Sequence, residues 1–277
     1  MTEIVSFPDY RATAQTLPGA DLKPEKMPGH WLLAQLGKKV LRPGGIELTR
    51  AMLGALQIGK DDDVVEFAPG LGLTARMALA QQPASYTGVE RDADAAQLVN
   101  DVLEEPQYEC VVGKAEDTGL PDASATVVYG EAMLTMQTNA NKMKIISEAV
   151  RILKRGGRYA IHEINLAPDD LDGSIQSEIS KGLSQTIKVG ARPLTMPEWT
   201  ALLEAAGFRV VAVERAPMHL LEPRRVLADE GLLGTLRFIA NVLGNRVARQ
   251  RVLAMRAIFR RFAEHMAAVM IVAEKVA

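Results

Sequence analysis

The chain has 277 residues, of which 48% are hydrophobic and 24% are charged, and these proportions are typical of a globular protein. Its net charge of −2 argues against a chain that binds nucleic acid through its overall charge. The single cysteine, Cys110, excludes an intrachain disulfide framework. The start "MTEIVSFPDYRATAQ" lacks the pattern of a signal peptide, and no run of about 18 apolar residues occurs. We therefore expect a cytoplasmic protein without a membrane span.

Prolines punctuate residues 1–43, which contain one short apolar patch, "WLLAQL". Because proline interrupts regular structure, we expect this part of the chain to form a cap segment without long elements. The next stretch, "GGIELTRAMLGAL", predicts a helix that ends at the turn "QIGKDDD".

From residue 64 onwards, short apolar strands alternate with helices. The predicted strands are, in chain order, "VVEFA", "SYTGVER", "YECVVGKAE", "ATVVYGEAM" and "RYAIHEINL". The helices between them are "LTARMALAQQ", "DADAAQLVNDVLEE" and "NANKMKIISEAVRILK", and we expect Gly156 and Gly157 to close the last of these. This alternation indicates parallel β-α-β units, which right-handed crossovers stack into a doubly wound sheet.

The remaining part of the chain predicts a strand pair that a helical insertion divides. Its elements are a helical stretch "GSIQSEISKGLSQTIK", a helix "TMPEWTALLEAAGF", a strand "RVVAVERAPM", helical residues 222–262 and a last strand "MAAVMIVAEK". We therefore divide the chain into a cap segment of residues 1–43, a core of residues 44–218 plus 264–277, and an insertion of residues 219–263.

The segment "VVEFAPGLGLTA" is compatible with two kinds of nucleotide loop. Read as G-x-G-x-x-A through Gly70 and Gly72, it is typical of a loop that binds the pyrophosphate of a dinucleotide. Glu66 opposes that interpretation, because its carboxylate would repel a pyrophosphate and attract an ammonium group. Glu90, which closes the second strand, suits the ribose hydroxyls of either ligand. S-adenosylmethionine carries an adenosine at one end and an ammonium group at the other.

Several motifs with the order and spacing of one family run through residues 44–166. "EFAPGLG" resembles the first motif of the class I S-adenosylmethionine-dependent methyltransferases, "GKAEDTGLPDASATVVYGEAML" resembles the next block, and "EAVRILKRGGRYAI" resembles the closing helix, turn and strand. The likeness is nearest to the small-molecule branch that includes ubiquinone and menaquinone biosynthesis enzymes. It implies a Rossmann-like, seven-stranded, mostly parallel sheet with helices on both faces, an N-terminal lid and a helical insertion between the last two strands.

The resemblance also implies the cofactor, S-adenosyl-L-methionine, and the product, S-adenosyl-L-homocysteine. Ala68 stands where many family members have glycine, and the guanidinium of Arg42 is suited to pair with the carboxylate of the donor. The residues implied to bind the cofactor are Glu66, Ala68, Gly70, Gly72, Glu90, Arg91, Ala115, Glu116, Glu131 and Arg42.

Methyl transfer from a sulfonium is an in-line displacement, so the protein has mainly to position two reactants. A base is needed only when the acceptor must lose a proton. The candidates for that base are Glu131, His162 and Glu163, at the carboxyl ends of the fourth and fifth strands. Since neighbouring residues on a strand point to opposite faces, only one of His162 and Glu163 should face the donor, and we favour Glu163. We expect no metal ligands.

The cap segment and the insertion are expected to enclose the acceptor, with His30 and Trp31 in a lid. The stretch "NRVARQRVLAMRAIFRRF" predicts an amphipathic helix. Its apolar face consists of Val247, Met255, Ile258, Phe259 and Phe262, and beside it lies an arginine stripe of Arg246, Arg249, Arg256 and Arg260. The stripe has three interpretations: a solvated face, a rim at the pocket entrance that guides an anionic substrate, or a patch that faces RNA or a membrane.

These features together predict methyl transfer to a small-molecule acceptor. The alternatives are a nucleic-acid or protein methyltransferase, which only the arginine stripe favours, and a non-catalytic module that binds S-adenosylmethionine. We regard nucleic acid as a disfavoured partner and homodimerisation as a further alternative.

Overall fold

The computed structural model describes residues 17–276. Its strands are β1 (Asp63–Phe67), β2 (Ser85–Glu90), β3 (Tyr108–Val112), β4 (Ala125–Glu131), β5 (Leu153–Leu166), β6 (Leu194–Thr195), β7 (Phe208–Pro217) and β8 (Met266–Lys275). They form one sheet in the order β3-β2-β1-β4-β5-β8-β7, with β6 paired to β5. Strands β1 to β6 pair in parallel, whereas β8 runs antiparallel to both β5 and β7.

The helices connect these strands and cover the sheet. They are α1 (Gly29–Gln35), α2 (Gly45–Leu56), α3 (Leu73–Leu79), α4 (Ala93–Asn100), α5 (Asn139–Ile152), α6 (Gly173–Ile187), α7 (Met196–Ala205), α8 (Pro223–Gly244) and α9 (Arg246–Arg261), with a 3-10 turn at Leu134–Met136. Helix α8 is broken at Gly231, whose backbone is not helical. No helix of residues 17–276 is long and apolar enough to cross a bilayer.

The Rossmann-like architecture and the helices between the last two strands are as predicted, and two details differ. The sheet has an eighth strand, β6, which is only two residues long and therefore too short for a periodic signal. Helix α5 ends at Ile152, so Gly156 and Gly157 lie within β5 rather than at a helix end. Leu153 is already extended and pairs with Ala125, and the register then shifts before Val127.

Successive side chains along the central strands point to opposite faces of the sheet, so that each face has its own apolar core. In β8, Val269, Ile271 and Ala273 join the core beneath α5 and α7, and Ala268, Met270 and Val272 join the core beneath α2. Strands buried on both faces read as continuous apolar runs, which is why "MAAVMIVAEK" predicted its strand so well.

A third core joins the cap segment to the insertion. It is built from α1, α6, α8 and α9, and includes Leu32, Leu183, Phe238 and Met255. A buried ion pair reinforces this contact, because the Lys38 ammonium lies 3.3 Å from both Asp229 and Glu230. The cap segment and the insertion therefore pack together beside the carboxyl ends of the central strands.

Candidate active site

The carboxyl ends of β1, β2, β4 and β5 open onto a cavity of about 470 Å³. Parallel strands place their carboxyl ends at one edge of the sheet, which is where ligands bind in doubly wound folds. The predicted cofactor residues that line the cavity are Glu66, Ala68, Gly70, Glu90, Arg91, Ala115, Glu116, Glu131 and Arg42. Its apolar lining includes Trp31, Leu33, Leu41, Ile164, Leu183, Ile187, Val189, Met218, Leu220 and Phe259.

The loop between β1 and α3 depends on left-handed backbone conformations. Ala68, Gly70 and Gly72 have φ values of 54°, 58° and 71°. Glycine adopts such values without strain, whereas the side chain of Ala68 makes its value less favourable. A side chain on Gly70 would meet only the Ala68 carbonyl within 4 Å, so this part of the loop is open. Gly72 caps α3 and does not line the cavity, so the structure shows it in the turn, and its contact with the cofactor stays a prediction.

Glu66, the residue before the last of β1, is an almost fully buried carboxyl group. Its Oε2 accepts hydrogen bonds from the hydroxyls of Tyr86, at 2.6 Å, and Tyr129, at 2.8 Å. Its Oε1 accepts none from residues 17–276, and Glu66 lines the cavity. Burial raises the pKa of Glu66 to about 7, although the two tyrosine hydrogen bonds act in the opposite direction. The carboxyl group of Glu66 thus ionises near neutral pH, and its Oε1 is available to accept from a cationic ligand.

Glu90 connects the end of β2 to the first loop. Its Oε2 accepts a hydrogen bond from the Gly70 amide and its Oε1 accepts one from the Asp92 amide, both at 3.1 Å. Burial raises the pKa of Glu90, and these amides partly offset the effect. The carboxylate retains further lone pairs that can accept from ribose hydroxyls.

Glu131, at the end of β4, lies in a buried cluster of charged and hydroxyl groups. Its Oε2 accepts from Arg42 and Thr74, and its Oε1 accepts from Thr49 and from Nδ1 of His162, both at 2.7 Å. Burial alone would raise the pKa of Glu131, but Arg42 and His162 outweigh it and hold that pKa at about 2. A carboxylate with both oxygens occupied is poorly placed to take a proton from a substrate.

His162 lies behind this cluster. It is fully buried, and its Nε2 is 2.6 Å from the Pro43 carbonyl oxygen while its Nδ1 faces Glu131. His162 does not line the cavity, and Glu131 is already saturated. Both side chains hold the cap segment against the sheet, and a role for either of them as the base stays a prediction.

Arg42 nevertheless keeps part of its guanidinium available. Its Nη1 donates to Thr49, Thr74 and Glu131. Its Nε and Nη2 have no hydrogen-bond partner within the described part of the chain, and Arg42 lines the cavity. A carboxylate in the cavity would find there a cation already oriented by Glu131.

Glu163, the favoured base, anchors a loop. It is fully buried, and its two oxygens accept the backbone N–H groups of Met133, Leu134 and Thr135 at 2.9, 2.7 and 3.0 Å. Burial raises the pKa of Glu163, and these hydrogen bonds oppose that shift. The carboxylate thus holds the 3-10 turn against the cavity, which Glu163 itself lines, and its role as base stays a prediction.

His30 presents a different kind of group to the cavity. Burial, together with the charge of Arg91, lowers the pKa of His30 to about 4, so the ring is neutral at pH 7. The ring lies 4.7 Å from that of Trp31, and its nitrogens make no hydrogen bond with residues 17–276. Sequence reasoning suggested an aromatic lid here, but the neutral state of the ring depends on the tertiary environment.

The insertion reaches the cavity through Phe259. The arginine stripe does not, because none of its four members lines the cavity. Arg256 and Arg260 pair with Glu222 at 3.1 and 3.4 Å. The lining of the cavity therefore gives no support to an arginine rim, which stays one of the three interpretations of the stripe.

Sequence reasoning missed the hydroxyl groups that fix the two central carboxylates. Thr49 and Thr74 hold Glu131, and Tyr86 and Tyr129 hold Glu66. The tyrosines carried a usable signal, because a tyrosine inside a buried strand needs a partner for its hydroxyl. The threonines carried none, since each lies on an otherwise ordinary helix.

Comparison with known proteins assigns the chain to a family. Residues 65–161 match the family model described as a methyltransferase domain. A Haemophilus influenzae protein, named an uncharacterized protein, is 34% identical over 219 residues, which are 78% of this chain and 85% of that protein. An uncharacterized methyltransferase of Synechocystis is 30% identical over 183 residues, which are 65% of this chain and 84% of that protein.

Solved structures agree on the fold. A Haemonchus contortus phosphoethanolamine N-methyltransferase, bound to phosphomonomethylethanolamine and S-adenosylhomocysteine, superimposes with a TM-score of 0.66 at 16% identity, over 86% of this chain and 55% of that one. A geranyl diphosphate methyltransferase, in complex with GPP and sinefungin, gives 0.60 at 16% identity, over 83% and 78% of the two chains.

The fold and the family match together define a methyltransferase. The chain belongs to the methyltransferases, and its fold is that of the class I S-adenosylmethionine-dependent members.

Proposed function

We propose that this enzyme methylates a small, largely apolar acceptor. The observation that carries the proposal is the apolar part of the cavity lining, which is contributed by the cap segment, β5, α6 and the insertion. The cavity volume of about 470 Å³ lies in the range of small-molecule sites. Each buried methylene stabilises a complex by about 0.8 kcal/mol, so such walls favour a hydrocarbon-rich acceptor. The geranyl diphosphate methyltransferase with a similar fold supports the idea that this fold can accommodate one.

We assign the donor to the other part of the cavity. Glu66 pairs with the ammonium group of S-adenosylmethionine and Arg42 pairs with its carboxylate. Glu90 accepts from the ribose hydroxyls, and Ala115 and Glu116 lie along the adenine. This assignment rests on the lining residues and on the unpartnered atoms of Glu66 and Arg42.

The chemistry requires little beyond this placement. The acceptor atom attacks the methyl carbon, and the carbon–sulfur bond breaks to leave the neutral thioether of S-adenosylhomocysteine. Holding the two reactants in line can supply about 7–11 kcal/mol of the barrier. The neutral ring of His30 accepts a hydrogen bond from the acceptor and orients it. A pKa of about 4 makes this ring a weak base, so it positions the acceptor rather than ionising it.

A series of acceptors tests the proposal. The purified enzyme is given S-adenosylmethionine and compounds that share one hydroxyl, thiol or amine but differ in alkyl length, and release of S-adenosylhomocysteine is measured. We expect kcat/KM to rise by about fourfold per methylene until the cavity is full, the equivalent of about 0.8 kcal/mol. A flat series would contradict an apolar pocket. Binding of S-adenosylhomocysteine without turnover of any compound would favour the non-catalytic module.

A matched pair of variants tests whether the wall of the cavity causes the dependence of kcat/KM on alkyl length. Phe259→Ser changes a cavity wall on α9, whereas Leu253→Ser changes an exposed residue of the same helix. We expect the dependence on chain length to weaken only in Phe259→Ser. An equal loss in both variants would show that α9 acts through the fold rather than through the pocket.

A further inference from the structure

The second half of α8 presents an unusual apolar surface. Leu232, Leu236, Ile239 and Leu243 are spaced i, i+4, i+7 and i+11, so they share one side of the helix. They are 67%, 55%, 47% and 60% exposed, and the adjoining Leu233 is 82% exposed. We call these five residues the α8 face.

The α8 face is not the side of the helix that holds the fold together. Phe238 is buried in the core shared by the cap segment and the insertion, and Val242 packs against that core. The helix is therefore apolar on two sides, and one of them is exposed to solvent in the described part of the chain. Single exposed leucines are ordinary, but a contiguous row of them marks an interaction surface.

The charges around the α8 face are of one sign. Arg224, Arg237 and Arg246 are exposed on α8 and at the start of α9. Arg249 donates to the Leu243 carbonyl, which places it at the end of the face. The acidic residues of the two helices, Asp229 and Glu230, have buried side chains.

This distribution decides between two occupants. A second copy of the chain would bring its own arginines to this contact, because a two-fold interface pairs a patch with itself. The two helices expose no carboxylate that could offset that repulsion. An anionic bilayer supplies both complements, an apolar layer for the leucines and negative headgroups for the arginines.

We propose that the α8 face docks the enzyme on an anionic membrane surface, with the helix lying in the interface rather than crossing it. The proposal goes beyond the methylation reaction and does not depend on the identity of the acceptor. The docked helix belongs to the insertion whose other helix, α9, contributes Phe259 to the cavity wall.

Vesicle co-sedimentation of the full chain tests this docking. Vesicles of phosphatidylcholine alone are compared with vesicles that also contain phosphatidylglycerol. We expect binding to the anionic vesicles, and a loss of at least tenfold in partitioning for the double variant Leu233→Ser/Leu236→Ser. The matched control, Val112→Ser, removes a side chain that is 63% exposed on β3, at the other edge of the sheet, and should bind as the wild type does.

Two further measurements examine the contribution of the arginines to vesicle binding and the folding of the variants. Arg246→Gln/Arg249→Gln should weaken binding to anionic vesicles and reduce its salt dependence. All variants should keep the wild-type affinity for S-adenosylhomocysteine, which shows that they are folded and separates this test from that of the proposed function.

Four results would overturn the proposal. The first is an absence of binding to either vesicle, and the second is a loss in Val112→Ser as large as that in the double variant. The third is a wild-type dimer in light scattering that the double variant converts to a monomer without any change in vesicle binding. Binding that appears only after removal of residues 1–16 would likewise overturn it, because that segment would then be the occupant.

Discussion

Donor affinity should depend on pH through Glu66. The carboxyl group is buried beneath two tyrosine hydroxyls, and its pKa of about 7 means that it is half protonated at neutral pH in the free enzyme. The ammonium group of the donor interacts favourably only with the ionised form. Binding therefore displaces a proton from Glu66, and the observed affinity follows the ionised fraction.

The magnitude follows from that pKa. With a value of about 7, the ionised fraction rises from about one tenth at pH 6 to about nine tenths at pH 8, so affinity should rise about tenfold, or about 1.4 kcal/mol. The curve should level off above pH 8. The variant Glu66→Gln has the same shape but no titration, and should lose about 1.5–3 kcal/mol of affinity at pH 8 together with the pH dependence.

Isothermal titration calorimetry with S-adenosylhomocysteine measures the pH dependence of the affinity and the loss of affinity in Glu66→Gln. Titrations in buffers of different ionisation enthalpy also count the protons released. Equal affinity at pH 6 and pH 8 in the wild type would refute the reasoning. A pH dependence that persists in Glu66→Gln would show that another group titrates.

Further predictions concern stability and the other site residues. The raised pKa of Glu66 favours the folded state at low pH. This stabilisation, of up to about 3 kcal/mol, is lost as the pH rises from about 4.5 to about 7. Glu66→Gln should therefore unfold at a higher temperature than the wild type at pH 8, and a lower Tm would contradict this. Glu131→Gln should destabilise the fold by about 3–5 kcal/mol in urea at pH 7, because it leaves the buried Arg42 guanidinium without its counter-charge. The depressed pKa of Glu131, about 2, also means that its contribution in the wild type disappears as pH falls from about 4.5 towards 2. Glu90→Ala should weaken S-adenosylhomocysteine binding by about 2–3 kcal/mol in calorimetry, and unchanged affinity in a folded variant would remove Glu90 from the site. His30→Phe should raise the KM of the acceptor and leave donor affinity unchanged; a fall in kcat with a shifted pH profile would instead make His30 the base.

Much of the fold could be predicted because its signals are local. The alternation of short apolar runs with amphipathic helices is a property of neighbouring residues, and it defined β8 to the residue. The predicted ends of helices and strands were wrong where pairing between distant segments determines them. Leu153 follows a helical pattern in the sequence but pairs with Ala125 in the sheet, and the strand therefore begins before the glycines.

For the candidate site, too, some features follow from local signals and others depend on distant parts of the chain. Glu66, Gly70 and Glu90 stand at fixed distances from strand ends, so the sequence places them at one edge of a parallel sheet. The roles of Glu131 and Glu163 depend on partners elsewhere in the chain. Arg42, which pairs with Glu131, is 89 residues away, and the amides that occupy Glu163 are 28–30 residues away.

By itself, then, the sequence determined the class of fold, the family and the part of the cavity assigned to the donor, because these depend on periodicity and on short motifs. Only the tertiary structure decided which carboxylates are free. Ionisation and hydrogen bonding in a buried site depend on every group that surrounds it, including Pro43, which is 119 residues from the His162 ring that it contacts. The apolar walls and the exposed α8 face are likewise properties of packing, because the sequence gives each leucine the same preference for burial whether or not the fold satisfies it.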